Sequence, residues 1–175
     1  MTAANQPVAI LVATGFEERN LTESQKIFLA LGLDTKVISP DGGLAQGWHD
    51  DGWGHHFMAD DNLAEILSAD FSGLIVPAGE RSAATLKNNP QTSRLLKAFA
   101  DAGKPMAVLG EAAALLDDAE ITRTSSHDGE EAIIVDKALI VAAVGANIHV
   151  VLKSFVKLLD GDDAKDADDE VERAA

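Results

Sequence analysis

The sequence predicts an α/β domain in which a mostly parallel sheet is covered by helices on both faces. Continuous apolar runs at residues 8–13, 73–76 and 106–109 are typical of strands buried on both faces. Segments with helical spacing of apolar residues lie between these strands. Strands that alternate with helices pair in parallel through right-handed crossovers, so the pattern indicates a three-layer sandwich.

The N-terminal part of the chain predicts two strands with a helix between them. Thr14 and Gly15 break the first apolar run, and Gly32 ends the helix that follows. The apolar positions of this helix are Leu21, Ile27, Phe28 and Leu31. The second strand covers residues 35–39 and stops at the turn sequence of residues 40–43.

The middle of the chain predicts an irregular segment, a third strand and two helices. Residues 44–58 are rich in Gly, Trp, His and Asp, and we expect them to contain a hairpin. A short helix is expected at residues 62–67, before the strand at residues 73–76. Helices are expected at residues 82–87 and 92–102, and Gly103 ends the second of them.

The remaining part of the domain begins with the fourth strand, at residues 106–109, and a turn at Gly110. A helix is expected at residues 111–116, followed by a hairpin of residues 133–135 with residues 139–143. Asn147 is expected to cap the last helix. Its apolar face includes Val151, Phe155, Val156 and Leu159.

The chain of 175 residues is predicted to contain one domain and an acidic tail. We assign residues 1–159 to the domain, because they alternate between apolar runs and turns. Residues 160–175 contain eight acidic residues against Lys165 and Arg173. This segment has almost nothing to bury, so we expect a solvated tail.

The charge balance excludes two classes of partner. The chain contains 29 acidic and 14 basic residues, a formal net charge of −15. Nucleic acids and anionic membrane surfaces would repel such a protein, so neither is expected as a partner. The apolar run at residues 8–13 is far shorter than the ~20 residues of a membrane span, and no basic segment precedes it. We therefore expect a cytoplasmic location.

The sequence contains no cysteine. This excludes disulfides, thiolate zinc sites and a thiol nucleophile. Neither Gly-x-Gly-x-x-Gly nor Gly-x-x-x-x-Gly-Lys-Ser/Thr occurs, so a nucleotide site has no support. We expect no cofactor.

Small and acidic residues follow three of the predicted strands. Ligands of such sheets bind beyond the carboxyl ends of the strands, which places these residues in one candidate pocket. They are Gly15, Glu17, Ala78, Gly79, Gly110 and Glu111. Glu17 and Glu111 are expected to lie close together, where two carboxylates could hold a proton or a cation. The preferred alternative is a relic pocket in which Glu17 accepts hydrogen bonds from backbone N–H groups.

The segment at residues 44–58 contains two further groups of candidates. Trp48 and Trp53 could form an aromatic platform for a ligand, but a role in an interface or in the core is the first choice. Histidine and aspartate residues in and beside it could bind a divalent metal. They are His49, His55, His56, Asp50, Asp51 and Asp60. Because no i, i+4 spacing aims these ligands, we interpret them as an exposed polar loop and predict no metal site. No chemical role is assigned to His127 or His149.

Four segments of the sequence resemble the ThiJ/PfpI superfamily of class I glutamine amidotransferase-like proteins. Residues 8–18 (VAILVATGFEE) are similar to the first strand and acidic turn of that family. Residues 46–54 (QGWHDDGWG) resemble the Gly-Trp…Trp-Gly loop of its bacterial stress-protein branch, and residues 74–79 (LIVPAG) resemble its Pro-Gly-Gly strand end. Residues 103–109 (GKPMAVL) are similar to the strand that enters its nucleophile turn.

The resemblance implies a flavodoxin-like fold, a homodimer or higher homo-oligomer, and a lost active site. The family's nucleophile turn reads Cys-His-Gly, and the matching positions here are Gly110, Glu111 and Ala112. Some members take a glutamate from a neighbouring subunit at a position that is Ala83 here. The glutamate that contacts the cysteine in the family is retained as Glu17.

Residues 125–135 (SSHDGEEAIIV) show a second, shorter likeness. They are similar to the C-terminal domain of large-subunit catalases. That domain shares the fold, lacks the cysteine and has a structural role.

These observations support three functional interpretations. The leading one is a catalytically degenerate ThiJ/PfpI-like protein with a binding, stress-related or structural role. The alternative is an enzyme of altered mechanism that acts on a small carbonyl substrate, in a glyoxalase-, deglycase- or amidase-like reaction, with Glu17 and Glu111 as an acid–base pair. The catalase likeness favours a third, an interaction module for another protein.

Overall fold

The computed structural model describes residues 6–40, 42–122 and 133–161. Ten strands and five α-helices lie in these ranges. The strands are β1 (Val8–Leu11), β2 (Phe16–Glu17), β3 (Thr35–Ser39), β4 (Leu44–His49), β5 (Gly52–Met58), β6 (Asp61–Asn62), β7 (Gly73–Val76), β8 (Met106–Leu109), β9 (Ile133–Asp136) and β10 (Leu139–Ala142). The helices are α1 (Glu18–Ala30), α2 (Glu80–Lys87), α3 (Pro90–Asp101), α4 (Ala114–Asp118) and α5 (Ile148–Leu159).

The central sheet has seven strands in the order β6-β3-β1-β7-β8-β10-β9. Strand β1 lies parallel to both neighbours, with Val8 opposite Thr35 on one side and Gly73 on the other. Only the edge strand β9 runs antiparallel to its neighbour among the pairs described. The expected mostly parallel sheet is therefore confirmed.

Helices cover both faces of this sheet. Strand β1 is buried on both sides, so Leu11 packs into one apolar cluster while Ile10 packs into the other. The first cluster contains residues of α2, α3 and α4, including Phe99, and the second contains residues of α1 and α5. Phe28 and Phe155 join the latter two helices edge to face, with ring centroids 5.8 Å apart. Each buried aromatic ring contributes about 1.5–3 kcal/mol, so the three-layer, flavodoxin-like sandwich has a substantial core on both sides.

A second, three-stranded sheet has the order β2-β4-β5. Strands β4 and β5 form the antiparallel hairpin expected within residues 44–58. The short strand β2 pairs with β4 in parallel and places Glu17 opposite Trp48. This small sheet carries the first acidic turn and the tryptophan loop to the same edge of the molecule.

Several boundaries differ from the sequence-based expectation. Strand β1 ends at Leu11, and helices α2 and α3 each begin two residues before the expected start. In α3 the earlier start follows from the capping residue, because the side chain of Asn89 accepts from Gln91 N–H ahead of Pro90. The short helix expected at residues 62–67 is only a 3₁₀ turn over Leu63–Glu65.

The helix expected at residues 111–116 begins differently. Residues Gly110–Ala113 form a 3₁₀ turn, and the α-helix starts at Ala114. The hairpin of β9 with β10 and the Asn147 cap of α5 are confirmed.

No helix in the described ranges is long and apolar enough to cross a membrane. Residues 162–175 of the predicted tail, His127 and most of the catalase-like segment lie outside the described residues. The division into a domain and a tail therefore stays a prediction.

Candidate functional site

An open cleft of about 1180 Å³ lies at the carboxyl ends of the central strands. Six of the eight predicted pocket residues line it. They are Gly15, Glu17, Trp48, Ala78, Gly79 and Glu111. The other two are outside the lining: Gly110 lies next to Ala78, and Trp53 contacts the ring of Trp48, with 5.2 Å between ring centroids. The cleft also contains side chains that sequence reasoning did not select, among them Arg19, Asn20, Arg81 and His149.

The strand-to-helix turn after β8 has no room for a side chain at its first residue. Gly110 has φ +55°, in the left-handed region that favours glycine. A Cβ atom built on Gly110 would lie 2.8 Å from the Cβ of Ala78 and 3.4 Å from Cγ2 of Val144. The neighbouring strand end therefore fills the space that a nucleophile would need.

The turns after β1 and β7 are packed together through glycine. Gly79 has φ +135°, and a Cβ there would lie 2.5 Å from the carbonyl oxygen of Gly15. The N–H of Glu17 donates to the carbonyl of Ala78 at 2.7 Å. This close contact fixes Glu17 at the mouth of the cleft.

Glu111 is anchored to the backbone. Its Oε2 accepts a hydrogen bond from the N–H of Gly79 at 2.9 Å, at the start of α2. A carboxylate is favoured at a helix N-terminus, where backbone N–H groups lack partners within the helix. The backbone hydrogen bond that the relic-pocket interpretation assigned to Glu17 is thus made by Glu111.

The Glu17 carboxyl group is half-buried, and burial raises its pKa above the ordinary value. His49 and Arg19 lower the pKa, whereas Asp50 and Glu111 raise it further, and the net effect is upward. Glu17 and Glu111 both line the cleft, and the charge of Glu111 contributes to the raised pKa of Glu17.

Two polar side chains on the first turns of α1 and α2 hold the strand ends in place. The Oδ1 atom of Asn20 accepts from the N–H of Ala78 at 2.9 Å. The hydroxyl of Ser82 accepts from the buried N–H of Ala13 at 3.0 Å. Both residues satisfy backbone donors that follow a strand, where no neighbouring strand provides a partner.

Trp48 and Trp53 meet edge to face at the rim of the cleft, with 79° between their ring planes. The guanidinium carbon of Arg81 lies 4.5 Å from the centroid of Trp48 and 5.2 Å from that of Trp53. These are distances of a cation–π contact. The two rings therefore hold a cationic side chain of the same chain.

The sequence profile of the DJ-1/PfpI family matches residues 6–157. The chain belongs to the DJ-1/PfpI family. The resemblance inferred from the strand ends is thereby confirmed, and the match includes the whole cleft. No curated protein matches the chain.

Solved structures of family members share the fold. A cysteine-to-alanine mutant of a DJ-1 superfamily protein from Salmonella typhimurium is 21% identical, with a TM-score of 0.77 over 96% of this chain and 97% of that one. Drosophila melanogaster DJ-1beta is 16% identical, with a TM-score of 0.75 over 99% and 97%. A protein from Anabaena variabilis with DJ-1/ThiJ/PfpI-like and ferritin-like domains is 20% identical, and the match covers 92% of this chain and 51% of that chain with a TM-score of 0.79. At these identities the likeness shows the fold alone.

The β4–β5 hairpin of this DJ-1/PfpI protein is held over a buried carboxylate. Glu18 is 7% exposed, and its carboxylate accepts from the backbone N–H of His55 at 3.1 Å and contacts Nδ1 of the same residue at 2.5 Å. A Cβ at Gly47 or Gly54 would lie 2.9 Å or less from Glu18 atoms. The glycines thus let the hairpin approach the start of α1.

Burial raises the pKa of Glu18, but the hydrogen bonds from the side chain and backbone of His55, together with the charges of His55 and His49, hold the pKa below its usual value. Glu18 therefore remains ionised inside the fold at neutral pH. The glycine spacing in the loop was the sequence signal for this contact.

The histidines and aspartates of the hairpin do not gather into one site. His55 pairs with Glu18, while His49 contacts Asp50 at 3.4 Å. Within the described ranges, no group of three or more His, Asp or Glu side chains is placed to hold a metal ion.

Proposed function

We propose that this DJ-1/PfpI family member acts by binding in its cleft and carries out no cysteine-type reaction. The observation that supports this most directly is the 2.8 Å separation between Ala78 Cβ and a Cβ built at Gly110. The family's reaction needs a nucleophile on this turn, and here a methyl group takes its place. A stress-related or structural role in the cytoplasm fits a protein of this kind.

The surroundings of the turn support the same conclusion. A reacting carbonyl would need free N–H donors to stabilise the negative charge that develops on its oxygen. At the end of β7 the N–H of Ala78 donates to Asn20, and that of Gly79 donates to Glu111. Both donors are thus engaged by side chains of the protein.

Turnover assays test the proposal. We expect no conversion of methylglyoxal, glutamine or a peptide by the purified protein above the rate of a buffer control. Glu17→Ala and Glu111→Ala should change nothing in these assays, as should Glu65→Ala, an exposed control remote from the cleft lining. Turnover that either cleft substitution abolishes and Glu65→Ala leaves intact would refute the binding role.

A second candidate is an enzyme that uses Glu17 and Glu111 as an acid–base pair on a small carbonyl substrate. The raised pKa of Glu17 favours this candidate, because a larger fraction of the carboxyl group is then protonated at a given pH and available as a general acid. This candidate requires a pH–rate profile with an acidic limb that Glu17→Gln removes. A flat profile, or no rate at all, counts against it.

We also propose that the protein forms a homodimer or higher homo-oligomer. Leu44 and Met58 lie opposite each other across the β4–β5 hairpin and are 61% and 75% exposed, so they offer an apolar patch for self-association. Sedimentation velocity of the wild type and of Leu44→Asp tests this: we expect a dimer or larger species for the first and a shift toward monomer for the second. A native pull-down that returns a different protein in stoichiometric amount would support the interaction-module interpretation instead.

A further inference from the structure

The cleft contains more negative than positive side chains. Its carboxylates are Glu17, Asp50, Glu80 and Glu111, and its guanidinium groups are Arg19 and Arg81. The guanidinium of Arg81 already lies over the tryptophan rings. Arg19 and His149 remain as the other basic side chains of the cleft, which also contains four acids.

Glu17 differs from the other acids of the cleft in its partners. Glu111 accepts from Gly79 N–H, and Asp50 contacts His49. Within the described part of the chain, the Glu17 carboxylate takes part in no ion pair, although it is half-buried. Its charged neighbours include Arg19 and His49 as well as Asp50 and Glu111, but neither basic side chain forms an ion pair with it. A half-buried carboxylate without such a partner is stabilised by a cation that binds to it.

The walls beside Glu17 suit the apolar part of a small ligand. Ala78, Leu109 and Ala142 line the cleft from the strand ends, and Trp48 lines it from the hairpin. The volume of about 1180 Å³ is ample for a molecule of a few heavy atoms.

We propose that the cleft binds a small organic cation, an alkyl amine or guanidine, whose charged group pairs with the Glu17 carboxylate. This inference rests on the binding role proposed above and specifies the class of ligand. An anion of the same size would face four carboxylates, against the guanidinium groups of Arg19 and Arg81. The formal net charge of −15 adds a long-range attraction for cations at low salt.

Four matched probes test the charge requirement: n-butylammonium, n-butylguanidinium, n-butanol and butyrate. Calorimetry and the fluorescence of the two tryptophans report binding, since Trp48 lines the cleft. We expect saturable binding of both cations, with a Kd of about 1 mM for ligands of this size, and none of butanol or butyrate. Glu17→Gln should weaken the binding of both cations about tenfold. Glu65→Gln, which removes the same charge from an exposed position outside the cleft lining, should leave the Kd within about twofold.

Three outcomes would overturn the ligand class: no saturable cation binding, an equal effect of Glu17→Gln and Glu65→Gln, or butyrate binding as tight as that of butylammonium. Unfolding curves for both variants confirm that a weakened Kd is not caused by misfolding. The two proposals fail separately. Turnover of a carbonyl substrate that Glu17→Ala or Glu111→Ala abolishes refutes the binding role, whereas an inactive protein that binds no cation refutes only the choice of ligand.

Discussion

The methyl group of Ala78 fills the space that a side chain on Gly110 would need, because a Cβ on residue 110 would lie only 2.8 Å from the Cβ of Ala78. In the family pattern that this sequence resembles, the position of Ala78 is glycine and the position of Gly110 carries the nucleophile. Here residue 78 carries the side-chain methyl group and residue 110 has no side chain. The two differences from the pattern are therefore physically linked, and neither can be reversed alone without crowding or a void.

The first prediction concerns this contact. Gly110→Ala should destabilise the protein by about 2–4 kcal/mol, because overpacking adds to the cost of a left-handed backbone. Adding Ala78→Gly should recover about 1 kcal/mol or more of that loss, a coupling that a double-mutant cycle in urea measures. Gly103→Ala is the control, since Gly103 also has a positive φ, +67°, but no atom within 4 Å of its Cβ position. Equal losses for Gly103→Ala and Gly110→Ala would show that the contact with Ala78 costs nothing.

The second prediction concerns Glu17 and pH. Its pKa is raised in the fold, so the folded protein loses stability as the pH rises and this group ionises. Glu17→Gln should therefore raise the midpoint of thermal unfolding at pH 7, by about 1–2 °C for a partly screened charge. The gain should vanish below about pH 4, where the carboxyl group is protonated in both states. A gain that is constant across this range would contradict the assignment.

The third prediction concerns Glu111, which lies in the same cleft. Glu111→Ala should destabilise the protein at pH 7 by about 1–2 kcal/mol, because the N–H of Gly79 loses a charged acceptor at the start of α2. Glu111→Gln keeps an oxygen acceptor and should cost less than half as much. Urea denaturation of the two variants beside wild type makes the comparison. Equal losses would point to the packing of the side chain and not to the hydrogen bond.

The fourth prediction concerns two glycines of the same strand, β5. A Cβ at Gly54 would overlap with Glu18 Oε2, whereas no atom lies within 4 Å of a Cβ at Gly52. Gly54→Ala should displace the carboxylate from His55 and destabilise the protein by about 2 kcal/mol or more, while Gly52→Ala should cost less than about 1 kcal/mol. Thermal unfolding and the tryptophan emission spectrum, as a probe of the hairpin, check both. Similar spectra and midpoints for the two variants would show that the contact of Glu18 with His55 does not hold the hairpin in place.

The fifth prediction concerns the pH dependence of the interaction between Glu18 and His55. The pKa of Glu18 is lowered in the fold, so its contribution to stability is present above the pKa of the unfolded chain and is lost as the pH falls through the folded pKa. Glu18→Gln should cost about 1–3 kcal/mol at pH 7 and progressively less below about pH 4. Denaturant unfolding of both proteins at several pH values measures the difference. A cost that grows toward acid pH would have the wrong sign.

The buried strands were predictable because they are buried on both faces. Strands β7 and β8 have the predicted bounds, since an apolar run between turn residues leaves few alternatives. Strand β3 also has its predicted bounds, although Thr35 and Lys36 are not buried, because turn residues follow Ser39. The contact of Gly110 with Ala78, which lies just after strand β7, was not predictable, because the two residues are far apart in the sequence. Local sequence could not show that contact.

The sequence predicted which strand ends form the candidate site, but it did not predict several of the polar side chains that line it. Glu17 and Glu18 are adjacent acids, and only the packing of the hairpin decides that Glu18 is the buried one. Asn20 and Arg81 were missed because polar residues on a first helical turn usually face solvent. Their position just after two strand-end turns was the available signal, since helix N-termini that follow parallel strands open on the cleft.

The cleft takes its walls from both helical layers: Arg19 and Asn20 belong to α1, Arg81 to α2 and His149 to α5. The apolar clusters of these layers are separated by the central sheet. A molecule seated there would contact both layers beside the hydrogen bond from Ala78 N–H to Asn20, which already joins α1 to the turn before α2. The bound molecule should slow amide hydrogen exchange at the beginnings of both α2 and α5, although these helices belong to opposite layers.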